Sequence, residues 1–101
     1  MYLQAKAAGP QVVISEYLHP GGETALSMGE LKALTGLPAR EVRRFIQLER
    51  LKGVPIVTGH TGGYYIAESE RDLARFVRSM RHRANEILRV AEAIERTGES
   101  L

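Results

Sequence analysis

Signals to start a helix, stop it and start another follow one another between Ser27 and Pro38, and few folds accept two helices set so close together. Ser27 with Glu30 three residues on forms a capping box, in which the serine serves a backbone N–H of the first turn and the glutamate serves the cap's own. This predicts a helix over Met28 to Leu34. Gly36 suits the left-handed conformation in which helices often end, and the fixed φ of Pro38 suits the first turn of the next. A short helix, a turn of about three residues and a second helix over 38–52 make a helix-turn-helix pattern.

The flanking segments extend this pattern. Before it, Gly9-Pro10 breaks the chain, and Val12, Val13, Tyr17 and Leu18 near helical spacing predict a short first helix that Pro20-Gly21-Gly22 ends. Ala25-Leu26 then has room for one brief extended piece. After it, Val54-Pro55-Ile56-Val57-Thr58 and Tyr64-Tyr65-Ile66-Ala67 flank the turn-rich Gly59-His60-Thr61-Gly62-Gly63, which predicts a β-hairpin. Tyr64 and Tyr65 point to opposite faces of their strand, one into the core and one outward. Ser69 with Asp72 again makes a helix start, and no proline or glycine interrupts the chain from there to Thr97-Gly98. The fold class is therefore mainly α with a small β-hairpin (α+β), a winged helix-turn-helix followed by a long C-terminal helix. Residues 1–10 form an extension, 11–68 the winged domain, 69–97 the long helix and 98–101 a tail.

The residues ALSMGELKALTGLPAREVRRFI, LKGVPIV and GGYYIA carry a resemblance. Over about residues 11–67 the chain resembles the winged-helix domains of bacterial and bacteriophage DNA-binding proteins, such as the N-terminal domain of biotin repressors. The GGYYIA segment is also similar to the wing of iron-sulfur-cluster regulators, but this chain has no cysteine to hold a cluster. The resemblance implies double-stranded DNA as the partner, with the second helix entering the major groove.

The charge distribution agrees with that expectation. A net charge of +2 conceals two basic blocks: Arg40, Arg43, Arg44, Arg50 and Lys52 against Glu41 and Glu49, and five arginines between Arg71 and Arg83 against Asp72. At 100° per residue, Arg40, Arg43, Arg44, Gln47 and Arg50 share one helix face, opposite Val42, Phe45 and Ile46. Arginine pairs with guanine and glutamine with adenine in the major groove. Arg40, Arg43 and Gln47 are therefore assigned to base edges, and Arg44 and Arg50 to phosphates. His60, Thr61 and Gly62 at the wing tip are assigned to the sugar-phosphate backbone. The alternative is that the arginines only solvate the outside of a core helix. Glu49 and Leu51 fall out of phase. Either the helix stops early, or its last turn distorts, or Glu49 reaches an arginine while another segment covers Leu51.

Leu73, Val77, Met80, Ala84, Ile87, Ala91 and Ile94 alternate spacings of four and three, a heptad seam. Burial against the same helix of a second copy predicts a homodimer, with two reading heads and an approximately palindromic site; the alternative is a helix folded back on its own domain. The first half of the helix is basic, whereas Glu86, Glu92 and Glu95 help make the second half acidic, a division that an antiparallel pairing would match. The small Ala84 and Ala91 permit close approach without fixing parallel or antiparallel order.

Other function classes find little support. No nucleophile, acid-base cluster or phosphate loop is visible, so no enzyme, cofactor or small-molecule ligand is expected. The separated His19, His60 and His82 suggest no metal site, and they are read as surface residues. No apolar run is long enough to span a membrane, and the N-terminal residues lack the order of a signal peptide, so the expected location is the cytoplasm. The competing reading is a winged-helix adaptor in replication, packaging or assembly, acting through protein contacts.

Overall fold

The computed structural model describes residues 12–101, and its elements follow from the local signals in turn. Helix α1 spans Met28–Thr35, and its capping box is complete: Glu30 N–H donates to Ser27 Oγ at 3.0 Å and Ser27 N–H to Glu30 Oε1 at 2.8 Å. Gly36 closes α1 at φ 74°, its N–H donating to Lys32 O. No atom stands where a Cβ would lie, so glycine is chosen there for its backbone angle and not for space. Thr35 braces the corner, donating to Leu31 O at 2.7 Å and accepting from Leu37 N–H at 3.2 Å. Helix α2, Ala39–Leu51, starts directly after Pro38, whose carbonyl accepts from Glu41 and Val42.

Strands β1, Ile56–Thr58, and β2, Tyr64–Ile66, pair antiparallel with Val57 opposite Tyr65. The other edge of β2 is also taken. Leu26 exchanges two backbone hydrogen bonds with Tyr64, realising the brief extended piece at Ala25-Leu26, while Ile66 bonds to His19 and Gly21. Gly63 lies against this crossing strand, and a Cβ there would stand 2.8 Å from that of Ala25.

Ile14, Leu18, Leu31, Val42, Ile46 and Ile56 form the central core. Leu26, Leu37, Phe45, Val54 and Tyr64 close around it. Val57 and Tyr65 are buried on the other face of the hairpin, where the Tyr65 ring lies beside Gly22 and Gly59. Neither tyrosine is therefore turned fully outward: Tyr65 is buried and Tyr64 half-buried against the core, because the hairpin is covered on both faces.

The expected first helix is corrected. Only one 3-10 turn forms, Ile14–Tyr17, and Leu18 is already extended. Ile14 and Leu18, four apart, supply the buried contacts, whereas Val13 is exposed. The stretch before Pro20 is too short for a stable α-helix, and burial of two side chains needs no more than one turn.

The chain divides into two compact units on either side of Glu68 and Ser69. The second unit is helix α3, Glu70–Thr97, with a 3-10 turn at Gly98–Ser100. Ser69 caps α3 by accepting from Asp72 N–H. At ~1.5 Å per residue α3 is roughly 42 Å long. None of its side chains is buried.

Candidate nucleic-acid interface

Helix α2 turns the apolar half of its circumference inward, with Val42 fully buried and Ile46 nearly so. Opposite them, Arg40, Arg43, Arg44 and Gln47 are all exposed. Among the described residues, no hydrogen bond or ion pair engages Arg40, Arg43 or Gln47. Seven residues of rise between Arg40 and Gln47 spread these groups over about 10 Å, two turns of helix. Arg44 is more constrained: its guanidinium meets Glu41 at 3.1 Å and lies 4.9 Å from the Phe45 ring centre. An exposed pair of this kind is weak, about 0.3–0.5 kcal/mol, so it yields easily to a phosphate.

Two neighbouring residues hold α2 in place, and neither does what its position in the sequence suggests. Glu49 lies on the inward face, where its carboxylate accepts Ile14 N–H at 2.6 Å and Ser15 N–H at 3.0 Å. The helix neither stops early nor distorts, Glu49 does not reach outward to an arginine, and Leu51 is not covered but 77% exposed. The charge sits inside because the start of a 3-10 turn offers two N–H groups with no backbone partner, and a carboxylate can take both. Arg50 then ties the other flank of α2 to the hairpin, its Nε donating to Ile56 O at 2.7 Å. Arg50 was expected at a phosphate; this bond, on the border between the two faces, makes it a positioning residue of the fold instead.

At the hairpin tip, His60, Thr61 and Gly62 are exposed. Gly59 N–H donates to Gly63 O and Gly62 N–H to Gly59 O, and Gly62 takes φ 86°. The tip is thus a closed turn whose outer surface offers backbone and small polar groups but no cation.

Sequence reasoning singled out Leu51, which is 77% exposed, but passed over Leu34 and Leu48, which are 53% and 42% exposed. The helical wheel carried the signal for Leu48 as well, placing it with Leu51 on the same side of α2 as Arg44. Among the described residues, no cluster of three or more histidine or acidic side chains is gathered to hold a metal ion, and no helix is long and apolar enough to cross a membrane. No protein-family model, curated protein or solved structure matches this chain.

Proposed function

We propose that the chain binds double-stranded DNA through the exposed face of α2, as the reading head of a cytoplasmic regulator of transcription with a winged helix-turn-helix domain. One observation carries this reading. Arg40, Arg43 and Gln47 project together from a helix whose far side is locked in the core. Three donors of this type over two turns match what the major groove presents, since arginine bonds guanine O6 and N7 and glutamine bonds adenine N6 and N7. A helix pinned at Glu49 and Arg50 holds their backbone in place, which confines the entropy lost on binding to the side chains. Arg44 exchanges Glu41 for a phosphate, and the tip at His60, Thr61 and Gly62 follows the backbone alongside. No catalytic step, cofactor or small ligand belongs to this reading.

Selection of bound duplexes from a random pool, followed by titration of the recovered sequence, tests it. Exchanging both Arg43 and Gln47 for alanine is expected to weaken that binding by tenfold or more, since each bidentate contact discriminates by about 1–3 kcal/mol. Recovery of no sequence, or equal binding by the variant, overturns the reading. The exposed Leu48 and Leu51 beside Arg44 favour a second reading, an adaptor that docks a protein on the same surface. Its activity would survive the double exchange and fail when the two leucines become serine.

A further inference from the structure

No side chain of the apolar stripe of α3 is buried. Leu73, Val77 and Met80 are about 40% exposed, and Ile87 and Ile94 reach 68% and 65%. A regular seam of this period is covered best by another helix of the same kind. The sizes of the side chains along the stripe identify that helix and its direction.

Charge does not set the direction, because Arg71, Arg75 and Arg78 stand on the face of α3 opposite the seam, out of reach of a partner packed on it, and Arg75 is bound to Asp72.

Volume does. Antiparallel packing centred between Asn85 and Glu86 sets Met80 against Ala91 and Ala84 against Ile87, a large side chain against a small one, with Val77 against Ile94 outside them. Parallel packing puts Ala84 on Ala84 and Ala91 on Ala91, leaving gaps that a close-packed interior does not tolerate. A helix complementary to itself when reversed makes an isologous two-fold contact with a second copy of its own chain.

We propose that α3 pairs antiparallel with α3 of a second copy, centred between Asn85 and Glu86, so that the two Ser69 positions lie at opposite ends of the rod. The pairing rests on α3 alone and stands or falls independently of what α2 binds. The chain has no cysteine, so introduced thiols report cleanly. Full-length chains carrying Val77→Cys and Ile94→Cys are mixed without DNA and oxidised. Disulfides joining position 77 to position 94 of the other chain are expected in at least tenfold excess over 77–77 and 94–94. Dominant 77–77 and 94–94 products overturn the direction. Sedimentation equilibrium of the unmodified chain guards against an effect of the thiols: a dimer that Ile87→Asp converts to monomer supports the contact, and a monomer from the outset overturns it.

Discussion

Helices α2 and α3 are both sharply two-faced, yet one has its cover and the other does not. Val42 and Ile46 on α2 are buried, whereas no side chain of α3 is. An apolar stripe states that a face must be covered; it does not state what covers it. For α2 the cover is the chain's own core, and the polar face left over becomes the candidate reading surface. For α3 the proposed cover is another molecule, and the face that matters is the apolar one.

Substitutions that treat the two helices alike should therefore give unlike results. The largest effect is expected from Val42→Asp, which places an unpaired carboxylate in the core and should unfold the first unit, a loss above about 4 kcal/mol by chemical denaturation. The matching Ile87→Asp on α3 should change that unfolding by less than about 0.5 kcal/mol while abolishing self-association. Next comes Glu49→Ala. It strands the Ile14 and Ser15 N–H groups and should cost about 2–4 kcal/mol, with Glu49→Gln recovering part of the loss because its amide oxygen still accepts. Gly63→Ala forces a methyl group against Ala25 and should cost about 1–3 kcal/mol in the same assay. The smallest change in stability is expected for Arg43→Ala, within about 0.5 kcal/mol, since the side chain touches nothing that holds the fold. A large loss there would show that the exposed face of α2 is structural after all.

Much of the architecture was legible because its causes are local. Ser27 with Glu30, Gly36 and Ser69 act within a few residues of themselves, and the structure uses each as its chemistry suggests. The hairpin register likewise follows from the turn-rich segment between its strands. What could not be read depends on distant partners. Glu49 lies 35 residues from Ile14, so an acid in the middle of an apolar face looked like an error of phase and not like a cap. The same distance hid the 3-10 turn at Ile14–Tyr17, which a helical period in so short a stretch cannot distinguish from an α-helix. Arg50 was grouped with its neighbours by angle, although it sits at the edge of their face and bonds to Ile56. Arg40, Arg43 and Gln47 needed no partner to be found. Their placement depends on the helix period alone.

Nuclear magnetic resonance of the full chain during titration with a selected duplex measures contact at α2 most directly. The side-chain Nε signals of Arg40 and Arg43 and the amide group of Gln47 should shift first and most, while the methyl groups of Val42 and Ile46 stay nearly still. Shifts gathered instead on Leu34, Leu48 and Leu51, or along α3, with those three polar side chains unmoved, would contradict the assignment.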